Sequence, residues 1–173
     1  MNDFNLDEIK IHKMKFGDVD QVYAIEVDTF PTPWSKSSFL SQILRRRFNL
    51  YLVAKKDNEV LGYAGMVQRS KEGHITTIAV KNRFKRKRIG TILLIYLIKE
   101  AIKRGLVNLY LEVRESNKIA QEFYRKFKFS TIGRKIGYYS DTNEDALIMT
   151  MDNISNSKYK DFIFKIESDL LNK

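Results

Sequence analysis

Within LEVRESNKIAQEFYRKFKF, residues 111–129, a carboxylate and a phenol fall on neighbouring predicted elements. Glu112 lies near the end of NLYLEV (108–113), whose alternation puts Leu109, Leu111 and Val113 on one face and Tyr110 and Glu112 on the other. Tyr124 lies on a following helix whose inward face is Ala120, Phe123, Tyr124 and Phe127. A carboxylate can take a proton, directly or through water, and a phenol can return one. The plainer alternatives are an ion pair for Glu112 with one of the many bases and a core position for Tyr124.

The other stretch with chemistry in it is KNRFKRKRIGTILLIYLIKE, residues 81–100. Its basic opening follows the strand-like HITTIAV (74–80) and joins an apolar helix at Gly90. Free backbone N–H groups and the positive dipole end at a helix start attract phosphate. Glycine at the join lets phosphate oxygens come close to the backbone. Lys85, Arg86, Lys87 and Arg88 add a field that concentrates anions. Neither G-x-x-x-x-G-K-[ST] nor G-x-G-x-x-G occurs there. On these residues alone a pyrophosphate site and a nucleic-acid patch are equally good readings.

The bulk of the sequence narrows the setting. A length of 173 residues fits one domain with a substantial core. The absence of Cys excludes disulfides, thiolate metal sites and a Cys nucleophile. His12 and His74 alone leave little material for a metal site, so no metal is expected. No apolar run approaches the roughly 20 residues that span a bilayer, and the acidic start MNDFNLDEIK is unlike a signal peptide. A cytoplasmic protein without membrane contact is expected. The net charge of +10 points to an anionic partner, whether nucleic acid, an acidic protein surface or a phosphorylated cofactor.

These side chains need elements to position them. EIKIHKMK (8–15) alternates like a half-buried strand, and a helix is predicted from Gly17 to Phe30. FPTPW (30–34) breaks it. Ser35 is a plausible cap for a helix to about Arg46. Strands are expected at 50–56, 60–70 and 74–80, then a helix from about Gly90 to Arg104 and a strand at 108–113. A helix capped by Ser116 and strands near 130–138 and 145–152 complete the order β-α-α-β-β-β-α-β-α-β-β. That order implies an α/β fold, a mixed sheet with at least one parallel crossover and flanking helices. After Asp152 the pattern changes. Tyr159, Phe162, Ile163, Ile166 and Leu170 recur at helical spacing, so residues 153–173 read as an amphipathic helical extension of a domain spanning 1–152.

The succession IAV, basic loop, Ile-Gly-helix, LEVRESN with Tyr124, and YYSDTNEDALIM (138–149) resembles the GNAT acetyltransferases. Within them it is most similar to the RimI-type protein N-alpha-acetyltransferases and their Ard1-like relatives, over about Ile9 to Asp152; FPTPWSKSSF (30–39) looks more like the RimI side. The resemblance implies a mainly antiparallel sheet whose strands near 74–80 and 108–113 form a parallel pair parting in a V, with acetyl-CoA in the opening. Its pantetheine arm would pair with the backbone of Ile78, Ala79 and Val80. Its pyrophosphate would lie along the loop from Lys85 through Arg86, Lys87, Arg88, Ile89 and Gly90 to Thr91, and Asn117 would touch the cofactor. Glu112 matches the family's proton acceptor and Tyr124 its proton donor to the departing thiolate. His74 stands where Ard1-like relatives carry a polar group near the amine. Phe30, Trp34, Tyr138, Tyr139 and Asp141 are the candidate walls for a substrate peptide.

The implied reaction is direct transfer of acetyl to a protein N-terminal amine, of a ribosomal protein or a nascent chain, without an acyl-enzyme. Acetylation of a lysine or a small amine is the enzymatic alternative. A basic ribosome- or nucleic-acid-binding protein on the same fold is the non-enzymatic one. Two departures qualify the resemblance. Arg88 replaces the glycine usual in the pyrophosphate loop, where a side chain would crowd the phosphate or take a backbone angle it tolerates poorly; acetyl-CoA binding weaker than usual is therefore expected. FPTPW also lacks the glutamate of Ard1-like sites, which argues against a strict Ard1 preference.

Overall fold

Residues 5–171 are described by the computed structural model, and residues 1–4 and 172–173 lie outside it. The elements follow the expected order. They are β1 (Lys10–Lys13), α1 (Val19–Thr29), α2 (Lys36–Leu44), β2 (Asn49–Lys56), β3 (Glu59–Arg69), β4 (Glu72–Val80), α3 (Ile89–Lys103), β5 (Asn108–Arg114), α4 (Lys118–Lys126), β6 (Ser130–Tyr139), β7 (Glu144–Met151) and α5 (Ser157–Leu171).

Local hydrogen bonds trim three of the expected boundaries. The strand expected over 8–15 shrinks to β1 because Glu8 closes a 3-10 turn that Asn5 caps. Before α1, the Asp18 carboxylate accepts from the Lys15 N–H at 2.8 Å and holds a second 3-10 turn over Phe16–Asp18, so the α-helix begins at Val19 rather than Gly17. The cap of α4 is Asn117, not Ser116: its Oδ1 accepts from the Ala120 N–H at 3.0 Å. Ser35 caps α2 as expected, accepting from the Ser38 N–H.

The seven strands lie in the order β1-β2-β3-β4-β5-β7-β6. All neighbours are antiparallel except β4 and β5, which run parallel. Each face of the sheet is covered, so β2 and β3 are buried on both sides and read as near-continuous apolar runs. On one face Tyr51, Val53, Tyr63 and Ala79 pack against Val22 and Ile25 of α1 and Phe39 of α2. On the other face lies α3, apolar almost all round because it sits between the sheet and α5. Tyr159, Ile163 and Leu170 of α5 enter that same core. The Tyr159 hydroxyl donates to the Phe127 carbonyl at 3.0 Å, and Lys99 of α3 pairs with Glu167 at 2.8 Å. The terminal helix is thus packed on the chain's own core.

Candidate active site

The parallel pair is short. Glu72, Gly73 and His74 register with Asn108, Leu109 and Tyr110, and there the ladder stops although both strands continue, β4 to Val80 and β5 to Arg114. The expected V therefore opens immediately after His74 and Tyr110. Gly73 lets the strands meet at its base: a Cβ there would lie 2.6 Å from the Leu109 side chain and 2.7 Å from Met66 Sδ.

Residues 81–88 leave the tip of β4 and lead into α3. Lys81, at 2.6 Å, and Arg83 both pair with Glu59, which anchors the first turn of the loop. Lys85, Arg86, Lys87 and Arg88 are exposed. Arg86 and Arg88 are left-handed, with φ of 61° and 62°. Arg88 thus adopts the angle that glycine takes freely and that costs an L-residue about 1–2 kcal/mol. It is also the N-cap of α3, and it makes no side-chain capping bond, so the first-turn amides of α3 are not claimed by a cap. Gly90 has room to spare: a Cβ there would meet only Phe123 and Val80, each at 3.8 Å. Packing within the chain does not demand a glycine at that point. An anion approaching the backbone would.

Glu112 of β5 sits just above the base of the V, with its side chain only 7 % exposed. Its Oε2 lies 2.6 Å from His74 Nε2 and its Oε1 accepts from Lys135 Nζ at 2.6 Å. Burial alone would push the carboxyl up, but the hydrogen bonds from His74 and Lys135 and the adjoining positive charge outweigh it and hold the pKa at about 2. An ionised carboxylate only accepts, so Nε2 carries the proton in this pair and, in the neutral ring, Nδ1 is the accepting nitrogen. The imidazole is further fixed by stacking on Tyr110, with centroids 4.5 Å apart and planes within 2°. Lys135, a residue that the sequence did not single out, comes from β6, two strands away. Finding it requires the β5-β7-β6 register, which no local pattern encodes.

Tyr124 approaches from the other face. It packs beside Phe123 and Phe129 on the α3 side of the sheet, whereas Glu112 points away from Leu111 and Val113, which belong to that side. Burial pushes its phenol above the ordinary tyrosine range, and Tyr139 adds to the shift. It therefore stays protonated and able to donate. Asn117 holds its oxygen on the α4 cap, as described above.

The β6–β7 hairpin lies beside the same opening. Arg114 binds both Asp141 oxygens, at 2.9 and 2.7 Å, and Glu144 at 3.3 Å, and lies 3.9 Å from the centroid of the Tyr139 ring. Asp141 is committed to this clamp, and Tyr139 is pinned by it. Tyr138 stays 46 % exposed, with Lys135 Nζ 5.0 Å from its ring centroid. Phe30 and Trp34 are half-buried against the α1–α2 side of the core, Trp34 at 5.6 Å from Phe39 and 6.3 Å from Tyr51. FPTPW has no acid, yet one lies against it. Glu26 of α1, 3 % exposed, accepts from the Trp34 N–H at 2.9 Å and from the Tyr63 hydroxyl. Burial raises its pKa. Among the described residues no group of three or more His, Asp or Glu could hold a metal ion.

Known proteins resemble this chain. The Acetyltransferase (GNAT) family profile matches residues 19–129. A Bacillus subtilis (strain 168) relative is 37 % identical over 139 residues, covering 80 % of this chain and 92 % of its own; it provisionally bears the name ribosomal protein bS18-alanine N-acetyltransferase. An N-alpha-acetyltransferase of Saccharolobus solfataricus is 30 % identical and covers 82 % of this chain and 92 % of its own. The crystal structure of the ribosomal-protein-S18-alanine N-acetyltransferase from Escherichia coli superposes with a TM-score of 0.77 at 30 % identity, over 84 % of this chain and 94 % of that one. With a splayed β4–β5 pair, an uncapped helix start beyond it and relatives matched over nearly their whole length, this chain belongs to the GNAT acetyltransferase family.

Proposed function

We propose that the protein acetylates the N-terminal amine of a ribosomal protein, the counterpart of the bS18 that names its relatives, with acetyl-CoA as co-substrate. The observation that carries the reading is the Glu112–His74 pair at the base of the V. On this reading residues 1–152 form the catalytic domain and 153–173 a helical extension. The protein works in the cytoplasm, and its basic surface, with a net charge of +10, offers a contact to the ribosome.

The residues present fit the co-substrate. Acetyl-CoA supplies the activated acetyl thioester. The backbone of Ile78, Ala79 and Val80, beyond the last β4–β5 pair, would hold its arm. Lys85 to Thr91, with their exposed cations and uncapped helix start, would hold its phosphates, and Asn117 would lie beside it.

The chain's own groups then divide the proton work. An N-terminal ammonium, with a pKa near 8, must lose a proton before it attacks. Glu112 and His74 share a hydrogen bond at the base of the V, in which the ionised carboxylate only accepts. Glu112 therefore attracts the ammonium and fixes the His74 tautomer, and His74 takes the proton, directly or through water. Tyr124 donates to the departing thiolate from the opposite face. Phe30, Trp34, Tyr138 and Tyr139 line the approach of the peptide; Asp141 acts indirectly, by steadying Tyr139 through Arg114.

The test is an acetylation assay with acetyl-CoA over a peptide library varied at the first two residues, read by mass spectrometry. Transfer confined to α-amines, with a marked preference at the first position, is expected. Transfer to internal lysines or small amines alone would overturn the N-terminal assignment. Absence of any transfer at saturating cofactor would overturn the enzymatic one.

A further inference from the structure

The resting protein already places an amine on the carboxylate that an acceptor amine must reach. Lys135 Nζ is 2.6 Å from Glu112 Oε1, while the other oxygen holds His74. Lys135 belongs to the edge strand β6, where its register partner on β7 is Ala146, and Glu112 pairs with Ile148 of the same β7. The side chain therefore reaches over β7 from the solvent side, 45 % exposed against 7 % for Glu112, and passes the Tyr138 ring. On the acetyltransferase reading an incoming terminal amine approaches the same carboxylate. A lysine and a chain terminus present the same reacting nitrogen and differ in how tightly it keeps its proton. The Glu112 hydrogen bond raises the Lys135 pKa further, and holding the nitrogen in place, which converts an encounter into a local step, works against that cost.

We propose that Lys135 is a modification site: given an acetyl thioester, the protein acetylates its own Lys135 Nζ in cis. The inference rests on the acetyltransferase reading above. The ammonium gives a proton to the His74–Glu112 pair, and the nitrogen lone pair forms a C–N bond with the thioester carbonyl carbon. The C–S bond breaks, and the thiolate takes a proton from Tyr124, which is reprotonated from the protons shed by the nitrogen. The balance is one amide, one free thiol and one proton released to solvent. The product amide carries no charge, so acetylation removes one of the two partners that hold Glu112 ionised.

Full-length protein is incubated with acetyl-CoA and no peptide, and acetyl occupancy of each lysine is followed by peptide mapping. Lys135 should fill first, at a rate per chain independent of protein concentration. Glu112→Gln should slow it on the order of 10²-fold and leave the slow background at other exposed lysines unchanged. Lys135→Arg should abolish the fast phase. A second readout needs no cofactor: acetic anhydride should label Lys135 more slowly than other exposed lysines in the wild type, and faster in Glu112→Gln. A rate per chain that rises with protein concentration overturns the cis assignment. If a peptide is acetylated while Lys135 fills no faster than its neighbours, the proposal fails and the N-terminal activity stands. If neither acquires acetyl, both fail.

Discussion

Glu112 is the residue at which the charges of the site meet. Its pKa lies at about 2 in the folded chain against 4.5 for the ordinary side chain. The folded value is the lower one, so its contribution to stability is fully present above about pH 4.5 and is lost as pH falls through about 2. In urea unfolding at a series of pH values, Glu112→Gln should therefore lose less stability than the wild type over that acid window; parallel losses would contradict the ion-pair geometry. The same variant should lower acetyl transfer on the order of 10²-fold and leave acetyl-CoA affinity intact by calorimetric titration. At this scale the sequence was partly legible. Glu112 and Tyr124 stood out by type and position and His74 through the resemblance, but that His74 and Lys135 bind Glu112 depends on strand pairing, which has no local signature. The strain expected of Arg88 is present as a left-handed φ, because its identity and its place at a helix join were both readable.

Periodicity carried most of the information at the scale of elements. Strand alternation and helical spacing located all of them in order, since burial on one face imposes those periods. Three boundaries shifted through local side-chain hydrogen bonds, in which Asn5 accepts from the Asp7 N–H, Asp18 from the Lys15 N–H and Asn117 from the Ala120 N–H. Where Ser116 and Asn117 both qualify as caps, only the backbone geometry chooses between them. The terminal helix is the element whose role the structure sharpens most. Ile163 is 2 % exposed in the core that α3 also fills. Ile163→Ala should cost about 2–5 kcal/mol in chemical unfolding, whereas a loss below about 0.5 kcal/mol, typical of a surface position, would mean that α5 is a detachable appendage.

The whole molecule is a sheet with a helical layer on each face, and its two halves have different characters. β1 to β4 form a sequential meander, whereas β5, β7 and β6 form a second antiparallel set. The fold class and the mixed sheet followed from the order of elements, because a strand-helix-strand unit demands a crossover. The place where pairing stops did not follow from any residue pattern, since both β4 and β5 read as ordinary strands throughout. It became an expectation only through the resemblance to the acetyltransferases. The net charge of +10 proved ambiguous because a sum does not say where the charge stands: Lys81 and Arg83 are paired with Glu59, whereas Lys85 to Arg88 stand exposed at the start of α3.

The seam of three residue pairs between β4 and β5 bears on the time course of folding as well. The hairpins on either side close over short loops, whereas the seam closes only after the whole of α3 has been threaded across the sheet, and non-local parallel contacts of that kind form slowly. Interactions at the seam should thus be weak in the folding transition state and complete only in the native one. Gly73→Ala, which would crowd Leu109 and Met66 there, should speed unfolding and leave the refolding rate nearly unchanged in stopped-flow denaturant jumps. Slower refolding at an unaltered unfolding rate would place the seam in the nucleus instead. On this expectation the seam at the base of the V is the last join to be made during folding.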